Sequence, residues 1–181
     1  MKTFQLGHFN EFNGAYEIWF GNRICVGFYS KRHLRAFLAD TNKFLTKILV
    51  ELNDLFSTAF REYREIWLTC MNYKNGKIVN LTQSENKMQQ SVKALLEIFD
   101  SVGNTYNGAS SGSWSFIHLS RICFILLELC NELIAVNKGR NNTVTYHSLE
   151  ILKERIKVLN DRISNYPPEL PENGAYLKSN K

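Results

Sequence analysis

The stretch that decides the fold of this chain runs from Leu34 to Cys70 and reads LRAFLADTNKFLTKILVELNDLFSTAFREYREIWLTC. Along it a core-type residue recurs every three or four positions, and ten such intervals cover 36 residues. The mean interval of 3.6 residues is the period of a straight α-helix, whereas the apolar residues of a coiled-coil seam recur every 3.5 residues on average. The pattern predicts one helix over about residues 31–71, with a buried stripe made of Leu34, Leu38, Thr41, Leu45, Ile48, Leu52, Leu55, Ala59, Tyr63, Ile66 and Cys70.

The predicted length of this helix is unusual. About 40 residues at 1.5 Å each would extend roughly 60 Å, which exceeds the helices predicted later in the chain by more than about 20 Å. Two explanations remain open at this stage. Either the helix breaks near Asp54 or Ser57-Thr58, or its excess length packs against another subunit.

Three further helices follow in the sequence. The second begins near Ser84 or Glu85 and ends in a glycine- and serine-rich linker at Gly103–Gly112. Its predicted stripe consists of Met88, Val92, Leu95, Leu96, Phe99 and Val102. The third runs from about Ser113 to Val136 and is apolar on most sides, which predicts a position at the centre of a bundle or in a subunit interface.

The fourth helix is bounded by ordinary helix-end residues. Thr143 or Thr145 can cap its start, and the prolines from Pro167 onward forbid its continuation. Its predicted core stripe consists of Leu149, Leu152, Ile156, Leu159 and Ile163.

The first 29 residues have the composition of β-strands. Residues 15–20 and 23–28 are rich in aromatic and β-branched side chains and flank Gly21-Asn22, which is typical of a two-residue hairpin turn. Residues 3–9 could add a third strand. Because a lone hairpin is marginally stable in water, we expect this unit to lean on the helices.

Together these elements predict a mainly α protein. We expect a four-helix bundle with one unusually long helix, preceded by a small N-terminal antiparallel β-hairpin or three-strand meander. Residues 1–166 form one predicted domain, with the β appendage at 1–29 and the bundle at 30–166. Residues 167–181 form a predicted flexible polar tail.

Composition excludes several classes of function. The chain has a net charge of +5 and a pI near 9.0. Its most apolar stretch carries Arg121, Glu128 and Glu132, so no membrane span is predicted. Cysteine spacing does not match a metal site, and nucleotide-binding and hydrolase motifs are missing, so we expect no metal and no cofactor. The N-terminus does not resemble a secretory signal, which predicts a cytoplasmic, reducing setting.

Basic residues at the start of the long helix form the first candidate site. Lys31, Arg32 and Arg35 lie in its first turns, followed by Lys43 and Lys47. Cations at this end oppose the helix dipole, and a bound phosphate or acidic partner would give them a use. A separate candidate residue is Trp19, which lies on the other side of its strand from Tyr16, Ile18 and Phe20 and could be an exposed anchor for a protein partner.

A second candidate lies between the last two helices, in Arg140-Asn141-Asn142-Thr143-Val144-Thr145-Tyr146-His147. This segment resembles the Arg, polar residue, spacer, His pattern of HEPN ribonucleases, which are compact helical bundles. The resemblance implies metal-independent RNA cleavage across a dimer cleft, with Arg140 holding the scissile phosphate and His147 exchanging a proton.

The sequence thus predicts a non-enzymatic, basic helical-bundle protein that acts by binding protein or nucleic-acid partners, as a homo-oligomer. In general character it is similar to small basic four-helix accessory proteins encoded beside reverse transcriptases. The alternative is a HEPN-like ribonuclease that uses Arg140 and His147. Candidate partners are another protein, a second copy of the chain, or RNA or DNA at the basic helix start.

Overall fold

The structure is a computed structural model. It describes residues 4–5, 9–10, 15–20, 24–28, 30–73, 83–106, 112–166 and 175–178. Within these ranges the protein is mainly helical, with helices α1 (Lys31–Tyr73), α2 (Gln83–Tyr106), α3 (Gly112–Gly139) and α4 (Thr143–Ser164). The helical bundle predicted from the sequence is confirmed.

Five short strands are described beside the helices. They are β1 (Phe4–Gln5), β2 (Phe9–Asn10), β3 (Ala15–Phe20), β4 (Ile24–Phe28) and β5 (Ala175–Lys178). All pairings are antiparallel: β1, β2 and β4 pair with β3, and β5 pairs with the free edge of β4. The Gly21-Asn22 turn lies outside the described residues. β5 falls within the predicted polar tail, and the remaining residues of that tail from 167 onward lie outside the described part.

The long helix α1 is continuous over 43 residues, or about 65 Å. A break near Asp54 or Ser57-Thr58 is therefore wrong. The hydroxyls of Ser57 and Thr58 donate hydrogen bonds to the carbonyls of Asn53 and Asp54, at 2.9 and 3.2 Å, so both polar side chains are satisfied within the helix.

The predicted stripe of α1 faces the core. Leu45, Ile48, Leu52, Leu55 and Ala59 are fully buried, and the described stripe residues on either side are buried or half-buried. The side chain of Cys70 lies outside the described part. Burial on one face follows from the 3.6-residue period, since these positions return to the same side of the helix.

Helix α3 lies at the centre of the bundle. It packs against each of the other three helices, and both Leu126 and Leu129 are fully buried. The prediction of a central helix is confirmed.

The stripes predicted for the other two helices differ in outcome. α4 buries its predicted stripe completely, whereas in α2 Leu96 is exposed and Ile98 is buried in its place. The prediction for Leu96 is wrong: at about 100° per residue, positions 96 and 98 lie about equally far to either side of the rest of the stripe, and the packing of α2 in the bundle buries the side with Ile98.

Two aromatic contacts cover the start of α1. Phe28 of β4 packs on Phe37 with ring centroids 5.2 Å apart, and Tyr166, just beyond α4, stacks on Phe44 at 4.3 Å. The hydroxyls of Thr41 and Tyr166 form a buried hydrogen bond of 2.8 Å. The part of α1 that precedes the central bundle is therefore covered within the same chain.

Candidate nucleic-acid interface

The buried contacts of Phe37, Thr41 and Phe44 orient the start of α1. Because these three residues face the sheet and Tyr166, the opposite side of the helix is turned to solvent. Helical spacing places the basic residues of this segment on that outer side. We define the basic surface as the exposed side chains of Lys31, Arg32, Arg35, Lys43 and Lys47.

The basic surface concentrates the charge of the protein. Residues 31–47 contain five basic side chains and a single carboxylate, Asp40, which is a net charge of +4 out of +5 for the whole chain. Asp40 lies 3.9 Å from the ammonium nitrogen of Lys43, and both side chains are strongly exposed. An ion pair in this setting is weak, so Lys43 can exchange Asp40 for another anion at little cost.

The first turn of α1 is capped but not balanced in charge. The hydroxyl of Ser30 accepts a hydrogen bond from the backbone N–H of His33 at 3.2 Å, so Ser30 serves as the N-cap. The first turn contains no acidic residue. The positive end of the helix dipole and the basic side chains therefore add to one another, and an anion beside this turn is stabilised by both.

The size of the basic surface suits a phosphate backbone. Lys31 and Lys47 are sixteen residues apart, or about 24 Å along the helix axis. Duplex DNA presents one charge about every 1.7 Å along its axis, so the surface can span several phosphates at once. Contacts of Lys and Arg side chains with phosphates carry no information on the bases, so they provide affinity with little sequence preference.

Trp19 lies on β3, where it is level with Cys25 of β4 and Gln5 of β1. Its side chain lies outside the described part of the structure. Its role as an anchor for a protein partner stays a prediction.

The second candidate site forms the corner between α3 and α4. α3 ends at Gly139, Asn141 adopts a left-handed backbone conformation (φ 55°), and α4 begins at Thr143. The side chain of Asn142 accepts a hydrogen bond from the backbone N–H of Thr145 at 3.4 Å. The cap of α4 is therefore Asn142 and not Thr143 or Thr145. Asn in this corner supplies both the turn and the cap, since it tolerates φ > 0 and leads the preferred N-cap residues.

Arg140 and His147 are both exposed at this corner. Tyr146 lies beside His147, with ring centroids 5.0 Å apart, and the ammonium nitrogen of Lys138 lies 4.6 Å from the centroid of the Tyr146 ring. The contribution of Lys138 and Tyr146 was not visible in the sequence, because they are eight positions apart and meet only when the chain reverses. The corner thus joins two cations, a histidine and an aromatic ring.

Burial shifts the pKa of three side chains of α3. Burial raises the pKa of Cys123 and of Cys130 to about 12, so both thiols stay protonated and behave as small apolar groups. Burial, assisted by Arg121, lowers the pKa of His118 below 6.5. Among the described residues, no three His, Cys, Asp or Glu side chains converge in a way that could hold a metal ion.

Comparison with known proteins adds no family. No family model, no curated protein and no solved structure matches this chain. None of the described helices combines the length and the apolarity needed to cross a membrane. The function must therefore be argued from the charges and surfaces of this chain.

Proposed function

We propose that this protein is a non-enzymatic binding protein that contacts RNA or DNA through the basic surface at the start of α1. One observation carries the proposal: residues 31–47 hold a net charge of +4, all five basic side chains are exposed, and the buried contacts on the other side of the helix keep them there. Neutralising phosphates with these side chains releases condensed counterions, which favours binding.

The proposal predicts a salt-dependent affinity. If about four phosphates are neutralised, the plot of log affinity against log salt has a slope of about −3 to −4. Fluorescence anisotropy with a labelled oligonucleotide of about 20 nucleotides, as RNA and as DNA, measures this slope between about 50 and 200 mM salt. An affinity that does not change with salt would overturn the proposal and leave a protein partner as the better candidate.

A matched pair of variants tests the location of the site. Lys43→Gln removes one cation of the basic surface and should reduce the magnitude of the slope by about 0.7–0.9. Lys93→Gln on α2 is the control, because Lys93 is similarly exposed (78% against 81%) and also faces a carboxylate one turn away. Equal effects of the two substitutions would contradict a site on α1.

The HEPN-like ribonuclease is the alternative, and the shared location of Arg140 and His147 at one exposed corner supports it. The same RNA, incubated with the protein in EDTA and separated on a denaturing gel, tests this function. The alternative predicts cleavage that is lost in His147→Ala while salt-dependent binding is retained. Intact RNA with the wild-type protein supports the binding protein without catalysis.

A further inference from the structure

One line of exposed residues runs along the outer side of α1 within residues 31–47. It consists of Arg35, Ala39, Asn42 and Thr46, which follow one another at intervals of four, three and four residues. This spacing keeps the four residues on one side of the helix, and all of them are exposed. We call these residues the outer line of α1.

The cations of the basic surface border the outer line. Lys31 lies one turn before Arg35, at the start of the line. Lys43 and Lys47 each directly follow a residue of the line, so they lie about 100° further round the helix. The carboxylate of this segment, Asp40, lies 3.9 Å from the ammonium nitrogen of Lys43 and does not belong to the line. The outer line therefore has an uncharged centre with phosphate-binding side chains beside it.

The centre of the outer line allows close approach to the helix. Ala39 has no side chain beyond its Cβ, and Ala36, one turn before it on the same side, is also exposed. The hydroxyl of Thr46 donates a hydrogen bond to the backbone carbonyl of Asn42 at 2.8 Å, which holds this side chain against the helix. A ligand surface can therefore come close to the backbone of α1 at this point.

Two residues of the outer line carry side chains that suit base edges. The amide of Asn42 is exposed, and within the described part of the chain it is not engaged by another side chain. An Asn amide can bind adenine through two hydrogen bonds, and a guanidinium such as that of Arg35 can bind guanine in the same way. The outer line thus offers groups that distinguish bases, which the lysines beside it do not.

We propose that the basic surface binds duplex DNA and that the outer line of α1 lies in the major groove. This inference rests on the proposed function and adds to it the kind of nucleic acid and the residues that meet the bases. The major groove of DNA is about 12 Å wide and admits an α-helix, whose diameter is about 10–12 Å. The lysines beside the line then contact phosphates at the edge of the groove, while Arg35 and Asn42 reach the bases.

The shape of the groove selects DNA over RNA. An RNA duplex has a deep, narrow major groove whose bases side chains cannot reach, and a single strand has no groove. Both therefore retain only the contacts to phosphates. The other side of α1 is covered by Phe28 and Tyr166 of the same chain, so the outer side is the one that meets the duplex.

The first experiment compares three forms of nucleic acid by fluorescence anisotropy. They are a DNA duplex of about 20 base pairs, an RNA duplex of the same sequence and the single DNA strand, each at about 50 to 200 mM salt. Duplex DNA should bind at least about tenfold more tightly than the other two, because it alone adds contacts in the groove. Equal affinity for the RNA duplex, with a clear salt dependence, would overturn this inference and leave the proposed function intact. Salt-independent binding of all three would overturn both.

A substitution at the centre of the outer line tests the close approach. Ala39→Leu adds bulk without changing the charge, and it should weaken the binding of duplex DNA about tenfold while the binding of the RNA duplex stays the same. Ala135→Leu on α3 is the matched control, since Ala135 is also an exposed alanine within a helix. Circular dichroism checks that both variants are folded. An Ala39→Leu variant that binds duplex DNA as tightly as the wild type would contradict a helix in the groove.

Selection from a randomised library of DNA duplexes tests the contacts to bases. The wild type should enrich sites with an adenine and a guanine a few base pairs apart, and Asn42→Ala should lose about 5- to 150-fold of the discrimination at the adenine. Asn53→Ala is the matched control, because Asn53 is exposed on α1 beyond the basic surface and its carbonyl also accepts a hydroxyl from the next turn. A wild type without base preference, or an unchanged preference in Asn42→Ala, would overturn the role of the outer line.

Discussion

Single residues show how a buried polar group is accommodated in this core. Thr41 lies in the otherwise apolar stripe of α1 and is fully buried. Its hydroxyl meets that of Tyr166, which is 125 positions away in the sequence. Burial also raises the pKa of Tyr166, partly offset by the Thr41 bond, so the phenol stays protonated near neutral pH. The pair fastens the end of α4 to the start of α1.

Loss of this hydrogen bond should destabilise the protein measurably. Tyr166→Phe leaves the Thr41 hydroxyl buried without the phenol, at a cost of about 1–3 kcal/mol in the free energy of unfolding. Adding Thr41→Val removes the orphaned hydroxyl and should recover part of the loss. Urea denaturation of the wild type, both single variants and the double variant gives the coupling energy. Additive effects would show that the two hydroxyls do not act as a pair.

At the scale of elements, the continuity of α1 is the main result. The helix carries the basic surface near its start and the fully buried Leu52, Leu55 and Ala59 near its middle, so one unbroken helix joins the charged segment to the core of the bundle. Thr58 lies where polar residues suggested a break, and it is exposed on the outer side of the helix. Its hydroxyl donates a hydrogen bond to the carbonyl of Asp54, so this polar group is satisfied within the unbroken helix.

Proline at this position should therefore be costly. Thr58→Pro removes a backbone donor and places its ring against the carbonyl of Asp54, which costs about 3 kcal/mol or more. Thr58→Ala is the control: it keeps the backbone bond, and alanine favours the helix, so its stability should stay within about 0.5 kcal/mol of the wild type. Thermal and urea unfolding measure both. A Thr58→Pro variant as stable as the control would indicate a natural break at this point.

At the scale of the whole molecule, α3 holds the bundle together. It is the one described helix that packs extensively on all the others, and most of its buried side chains are Leu or Ile. Burial of this helix on several sides explains why no amphipathic pattern is visible in its sequence. We therefore expect all four helices to unfold together when α3 is destabilised.

Leu126→Ala tests this dependence. A fully buried leucine replaced by alanine should cost about 2–5 kcal/mol, because the cavity is surrounded by helices that cannot all close around it. Phe124→Ala on the exposed side of the same helix should cost about 0.5 kcal/mol or less. Far-UV circular dichroism and tryptophan fluorescence should report one transition for Leu126→Ala. Separate transitions would show that the helices unfold independently.

The sequence predicted the features that depend on local period and charge. The α4 stripe from Leu149 to Ile163 follows from spacing and residue type alone. The error at Leu96 arose because a stripe of six residues tolerates a shift of its centre, and only the neighbouring helices decide where it lies.

By itself, then, the sequence determined four helices and a basic segment in residues 31–47, because helical period and charge are written in neighbouring residues. Only the tertiary structure decided that α1 is unbroken, that α3 takes the central position among the helices, and that Tyr166 and Phe28 cover the start of α1. These features join residues far apart in the chain. Their energies depend on which surfaces meet, and no local pattern records that.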